Sequence, residues 1–109
     1  LRVPIPMTTA ALGGDIAVPT MGGGRASVSI PEGTQNGRQF RLRGKGMPHM
    51  RSRGSGDMYV QTVVETPVNL TKQQQDLLRQ FEASGGGATS PESEGFFRKV
   101  KELWDDITE

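Results

Sequence analysis

The densest group of chemically capable side chains lies between Arg38 and Arg53. Six lysines and arginines and the single histidine, His49, fall within these 16 residues. Such a cluster can contact phosphates or carboxylates. Its first arginines alternate with apolar residues, however, which is typical of the solvated face of a one-sided sheet. No aromatic side chain is expected to be available for base stacking, because Phe40 is predicted to point inward and Tyr59 lies beyond the loop. We therefore expect a solvated face first, contact with an acidic partner or peptide second, and nucleic acid last.

Catalytic and metal-binding sites have little support in the sequence. There is no cysteine, which excludes disulfides, thiolate metal sites and a cysteine nucleophile. His49 has no second ligand or carboxylate nearby in the sequence, and Gly44-Lys45-Gly46 lacks the strand–loop–helix context of a phosphate cradle. The pair Asp105-Asp106 falls at the tail of a predicted helix, where a solvated face is the simpler interpretation. We expect no enzymatic activity, no metal and no cofactor.

The basic cluster is predicted to lie on a strand–loop–strand unit. Phe40 and Leu42 point to one side of a strand, and the arginines between and after them point to the other. Two glycines and Pro48 then interrupt regular structure. A longer strand follows after Gly56, with apolar or small side chains alternating along one face from Met58.

Short alternating segments separated by turn residues predict a small antiparallel β-sandwich-like domain, followed by two helices. One helical turn, capped by Thr8 and ended by Gly13-Gly14, is expected after the first strand. The proline-rich first segment reads as an edge strand, and Gly22 to Gly24 predict a hairpin turn. The predicted strands lie near residues 2–6, 15–19, 25–30, 38–43 and 57–65.

The sequence changes character after Pro67. Thr71 and Gln74 form a predicted capping box, opening a helix over 71–84 that we expect to pack on the β domain of residues 1–70. The stripe of that helix consists of Leu70, Leu77, Leu78 and Phe81. Residues 85–90 are a predicted flexible linker, and Pro91 starts a second helix within residues 91–109.

The last helix has six large apolar residues at helical spacing. They are Phe96, Phe97, Val100, Leu103, Trp104 and Ile107. An isolated helix of this length is marginal in water and needs a surface to cover. We favour pairing with the same helix of a second copy, a homodimer. Folding back onto its own β domain is the next alternative. A membrane surface is the least favoured, because the carboxylates of the tail would be repelled by anionic lipid.

Several blocks of the sequence resemble the C-terminal region of DnaJ-type co-chaperones, the J-domain proteins. These blocks are VPIPMTTAALGGDIAVPT, FRLRGKGMP, GDMYV, VVETPVNLT and FFRKVKELWDDIT, and together they cover nearly the whole chain. The resemblance implies the second of the family's two C-terminal β domains followed by a dimerisation helix. It also implies a DnaK-type ATPase partner, contacted through a J-domain. Neither the His-Pro-Asp tripeptide of that domain nor the zinc-binding cysteine repeats occur in this sequence, so zinc is expected only in a cysteine-rich region of a full-length protein.

The resemblance leads to a chaperone function for the domain. We expect a client-binding and homodimerisation module that holds unfolded polypeptides; the alternative is a purely structural β spacer with no client contact. The candidate client-binding residues are Val3, Ile5 and Met7 on the predicted edge strand, where an extended client segment could add. The favoured alternative is that Val3 and Ile5 complete the core. Leu1 is not an initiator residue, so a fragment of a longer protein is expected. No apolar run is long enough to span a membrane, and the lack of cysteine suits a cytoplasmic location.

The charges are divided unevenly between the two parts. Residues 1–70 contain eight Lys/Arg and four Asp/Glu, a balance of +4, whereas residues 71–109 contain five and eight, a balance of −3. The net charge of +1 therefore conceals a basic β domain and an acidic tail.

Overall fold

The computed structural model describes residues 1–44, 56–85 and 87–108. The strands are β1 (Arg2–Pro6), β2 (Gly14–Pro19), β3 (Arg25–Ile30), β4 (Gln39–Leu42) and β5 (Met58–Glu65). The helices are α1 (Met7–Leu12), α2 (Lys72–Ser84) and α3 (Pro91–Thr108), with a 3₁₀ turn at Gly87–Thr89. Two compact units result, Leu1–Val68 and Asn69–Glu109. A mainly β domain followed by helices is thus confirmed.

The β unit contains two small sheets. One has the strand order β1-β5-β4, so β5 is central and β1 is an edge strand, as predicted. The other is the predicted β2–β3 hairpin, antiparallel with Gly14 opposite Ile30. Strands β4 and β5 are also antiparallel, with Phe40 opposite Val60.

Strand β1 departs from the antiparallel prediction. It pairs parallel to β5, with Val3 opposite Thr62 and Ile5 opposite Val64. Parallel neighbours need a long connection, and β1 and β5 are separated by the whole of α1, β2, β3 and β4. The sheet is therefore mixed. Pairing between such distant segments leaves no trace in local alternation, which is why the sequence pattern did not indicate it.

Both sheets and α1 contribute to a single core. Its buried apolar members are Ile5, Ala10, Val18, Val28, Ile30, Met58 and Val60. The alternation predicted for β5 is observed, since Met58, Val60 and Thr62 are buried while Tyr59 is exposed. The same holds for β4, where Phe40 and Leu42 pack against this core. The core of the β unit thus follows from the period-two pattern.

The start of the short helix α1 differs from the prediction. Its N-cap is Pro6, with no side-chain hydrogen bond, rather than Thr8. Its end is as predicted: Gly13 has φ +82°, and its N–H donates to the Thr9 carbonyl at 2.8 Å. A Cβ at position 13 would lie 2.9 Å from the carbonyl oxygen of Ile30. Both the left-handed backbone and the close approach require glycine there.

The capping box at the start of α2 is confirmed. The Gln74 N–H donates to the Thr71 hydroxyl at 3.1 Å, and the Thr71 N–H donates to Gln74 Oε1 at 2.9 Å. Helix α3 spans the predicted 91–108, with Glu92 and Glu94 in its first turn. Among the helices that the structure describes, none is long and apolar enough to cross a membrane.

Candidate functional site: an exposed apolar face on the last helix

The six apolar side chains of α3 are all exposed to solvent. The exposed fraction ranges from 45% for Val100 to 78% for Ile107, and Trp104 is 64% exposed. At 3.6 residues per turn, the six positions fall within an arc of about 120°. This apolar face (Phe96, Phe97, Val100, Leu103, Trp104 and Ile107) is therefore continuous, and exposed patches of this kind usually mark interaction sites.

Charged residues occupy the remaining surface of α3. Arg98 forms an ion pair with Glu94, one helical turn earlier, at 3.0 Å. The Thr108 hydroxyl donates to the Trp104 carbonyl at 3.0 Å and helps to close the last turn. Within the apolar face, the rings of Phe96 and Phe97 meet edge to face, with their centroids 5.2 Å apart. The helix is thus locally well formed, and its six apolar side chains remain exposed.

No residue of the helical unit is buried within the described parts of positions 69–108. On α2, Leu77 and Phe81 are 54% and 62% exposed. A segment without a core of its own buries little apolar surface, so little free energy offsets the conformational entropy lost on ordering. The geometry of this unit therefore suits recognition of another apolar surface. Packing of α2 on the β domain stays a prediction.

The three candidate client-binding residues of β1 are in different environments. Ile5 is 1% exposed and belongs to the core, so its side chain cannot meet a client segment in this conformation. Val3 packs partly against the same core, and Met7, now the first residue of α1, is half-buried. Ile5 therefore fits the alternative that it completes the core, because an inward-facing position of a one-sided sheet packs against the core.

The free edge of β1 is poorly suited to accept another strand. The N–H of Leu1 donates to the Tyr59 carbonyl at 2.9 Å, and the Leu1 carbonyl accepts from the Gln61 N–H at 2.8 Å. Leu1 therefore faces β5, and alternation turns the backbone groups of Pro4 and Pro6 outwards. Prolines supply no N–H, so two outward donors are missing. A strand added at this edge could not form a complete ladder of backbone hydrogen bonds, and prolines commonly protect sheet edges in this way.

The basic cluster is only partly described. Lys45, His49, Arg51 and Arg53 lie outside the described residues. Of the others, Arg38 lies over the Phe40 ring at 5.1 Å from its centroid, and Arg41 is paired with Asp57. Two of these arginines thus have partners within the β unit itself. Among the described residues there is no group of three His, Cys, Asp or Glu that could hold a metal ion.

The Asp57 carboxylate joins β4 to the start of β5, a feature that the sequence analysis missed. Its Oδ2 accepts from Arg41 Nε at 2.6 Å and its Oδ1 accepts from the Gly44 N–H at 3.1 Å. The Gly44 N–H, and next the Arg41 guanidinium, hold the pKa of Asp57 below its usual value. Asp57 follows Gly56 in the sequence, which gives no sign of its partner. Only the pairing of β4 with β5 brings its carboxylate next to Arg41.

Titration should expose this contact. Because the pKa of Asp57 is lowered in the folded state, the contribution of Asp57 to the free energy of unfolding is fully present above the ordinary carboxyl pKa of about 4. That contribution is lost as pH falls through the lowered pKa. We expect the Gly44 amide resonance to titrate in that acid range. Asp57→Asn should abolish the titration, whereas Asp15→Asn, its matched control on β2, should not. A Gly44 titration that survives Asp57→Asn would contradict the assignment.

Comparisons with known proteins agree on one family. Residues 1–67 match the family model described as DnaJ C terminal domain, and residues 73–106 match the one described as Chaperone protein DnaJ C-terminal region. The chain is 67% identical over 106 residues to Chaperone protein DnaJ of Rhodospirillum centenum, covering 97% of this chain and 28% of that protein. It is 65% identical over 111 residues to that of Paramagnetospirillum magneticum, covering 99% and 29%. The chain thus spans less than a third of the curated relatives it matches.

Proposed function

The chain belongs to the DnaJ C-terminal domain family, and from this we propose that it is the client-binding and homodimerisation module of a DnaJ-type co-chaperone. In this function it holds unfolded polypeptides for a DnaK-type ATPase, which a J-domain elsewhere in the full-length protein would engage. The names of the relatives support the chaperone assignment. We propose no catalytic activity, no metal in this segment, no nucleic-acid partner and a cytoplasmic location, the last because cysteine is absent.

The observation that carries the dimer is the exposed apolar face of α3. Fully burying one large side chain stabilises an association by about 1.5–3 kcal/mol, and this face offers six. A second copy is the natural cover, since a self-complementary patch closes under two-fold symmetry without leaving an open end. The aromatic residues Phe96, Phe97 and Trp104 are expected to dominate the contact.

Removal of the last helix tests the dimer directly. The molar mass in solution should be that of two chains for the full sequence and of one chain after deletion of residues 90–109. The β unit, whose core lies wholly before position 69, should keep its far-ultraviolet circular dichroism. A truncated chain that is still dimeric at micromolar concentration would place the interface elsewhere.

Client contact is proposed as a weak, side-chain interaction at β1. Met7 and Val3 are partly accessible, whereas Ile5 supports them from the core. The outward prolines disfavour strand addition at this edge, so the affinity should come from apolar side chains rather than from a backbone ladder. Two such surfaces in one dimer would gain affinity for a long client through their effective concentration.

Substitution of Met7 distinguishes client contact from the alternative of a structural spacer. Met7→Gln should weaken binding of an apolar client peptide several-fold, by about 1 kcal/mol, with little change in unfolding temperature. The exposed Leu12→Gln, on the same helix, is the matched control. If both variants bind the peptide like the unsubstituted chain, Met7 has no role in binding and the spacer function is favoured.

A further inference from the structure

Two consecutive residues just before β4 are each bonded to the end of β5. Asn36 Oδ1 accepts the Val64 N–H at 2.9 Å. The Gly37 N–H donates to the Thr62 carbonyl at 2.8 Å. The pair Asn36-Gly37 thereby fastens the loop that follows β3 to the central strand of its sheet.

The residue types at both positions are set by the local backbone. The Thr62 N–H donates to the Arg38 carbonyl at 2.9 Å, so Gly37 and Arg38 together oppose Thr62. This is a β-bulge whose first residue has φ +89°, a conformation that favours glycine. The bulge shifts the ladder, and the Asn36 side chain takes over as acceptor for Val64, whose backbone donor would otherwise lack a partner on this side.

The same dipeptide is chemically labile. When the backbone nitrogen of Gly37 loses its proton to solvent base, it can attack Cγ of Asn36, since glycine has no side chain to obstruct the approach. A nitrogen–carbon bond forms, the carbon–nitrogen bond of the side-chain amide breaks, and ammonia leaves with a proton from water. The resulting five-membered imide is opened by water to aspartate or isoaspartate. The net reaction consumes one water and releases one ammonia, and no other reactant is needed.

The folded β unit holds both reacting groups away from this reaction. The amide proton that Gly37 must lose is hydrogen-bonded to the Thr62 carbonyl. The Asn36 side chain, which must turn towards Gly37, accepts a hydrogen bond from the Val64 N–H. Reaction needs a near-attack arrangement of the two groups, and both hydrogen bonds must break to reach it. We propose that Asn36-Gly37 is a deamidation site whose reaction is suppressed in the folded β unit. It reacts only when the hydrogen bonds at the junction of β4 and β5 break.

The modification makes a transient opening permanent. Isoaspartate routes the main chain through the former side chain and adds a methylene between positions 36 and 37. Both the Gly37 donor and the Asn36 acceptor are then displaced from β5, so the bulge cannot re-form as before. Deamidation at this site would leave a lasting covalent record in those chaperone molecules whose β unit has opened.

The test compares two rates measured on the full chain in one mildly alkaline buffer. Peptide mass mapping gives the rate of amide-to-carboxyl conversion at Asn36, and hydrogen exchange gives the protection of the Gly37 amide. We expect conversion to be roughly a hundredfold slower in the native chain than in concentrated urea, matching the exchange protection. In a series of sub-denaturing urea concentrations, the two rates should rise together.

Two controls are internal to the design. Asn69, which precedes the bulky Leu70, should react far more slowly than Asn36 in urea, and Asn36→Gln should remove the product. Equal conversion rates in native and unfolded chains would overturn the proposal, as would a native rate that does not follow Gly37 exchange. So would the absence of conversion at Asn36 in urea.

Discussion

Replacing Leu103 and Trp104 together with alanine is expected to give a folded monomer. Both side chains belong to the apolar face of α3 and are 63% and 64% exposed in the isolated chain. In a two-fold dimer the double change truncates four buried side chains, each worth about 1.5–3 kcal/mol. The dimer should therefore weaken by roughly four orders of magnitude or more. Alanine is the strongest helix former, so loss of pairing would not come from loss of helix propensity.

The measurement is molar mass as a function of concentration, with circular dichroism to verify the fold. Lys101→Ala with Glu102→Ala is the matched control, because these exposed residues lie outside the apolar face and their removal leaves the net charge unchanged. The control should dimerise like the unsubstituted chain. If the Leu103/Trp104 variant remains dimeric at micromolar concentration, this face is not the interface.

Replacing Ile5 with alanine is expected to have the second large effect, on stability rather than on assembly. Ile5 is 1% exposed in the core, and truncating a buried isoleucine to alanine costs about 2–5 kcal/mol. That is a large share of the total for a small domain. The variant should unfold at clearly lower denaturant concentration with an unchanged slope.

A matched exposed position shows whether burial is the cause. Leu12→Ala removes a similar side chain that is 74% exposed, so its free energy of unfolding should change by no more than about 0.5 kcal/mol. Equal effects of the two substitutions would mean that Ile5 is not a core residue. Client binding by folded Ile5→Ala molecules should be preserved, in contrast to Met7→Gln.

The parts of the fold that sequence reasoning predicts well are those with local causes. The alternation around Phe40 and Val60 identified the faces of β4 and β5, and the Thr71–Gln74 capping box fixed the start of α2. The bounds of α3 follow from Pro91 and from the spacing of its apolar residues. Each of these signals acts over a few residues, and the chain context does not override it.

What the sequence did not predict depends on distant partners. Parallel pairing of β1 with β5, the bulge at Gly37 and the contact of Arg41 with Asp57 all require the register between strands. Ile5 was offered as a client contact because the prolines leave the first strand without a full ladder, and completion of the core was the favoured alternative. Its burial agrees with that alternative. The candidate site on α3 was predictable as a set of residues, because a helix tethered by glycines shows its apolar face in its own sequence. The surface that binds this apolar face could not be predicted, because the local sequence pattern of a helix carries no information about its partner.

The parallel pairing of β1 with β5 has a mechanical consequence. These are the first and last strands of the β unit, and five residue pairs align them from Arg2–Gln61 to Pro6–Glu65. Tension applied between position 1 and position 68 pulls β1 from its start and β5 from its end, in opposite directions. The ladder is then loaded in shear, so its hydrogen bonds resist together instead of opening one after another from one end. Tension transmitted along the chain between these two positions would therefore load all five residue pairs of the β1–β5 ladder together.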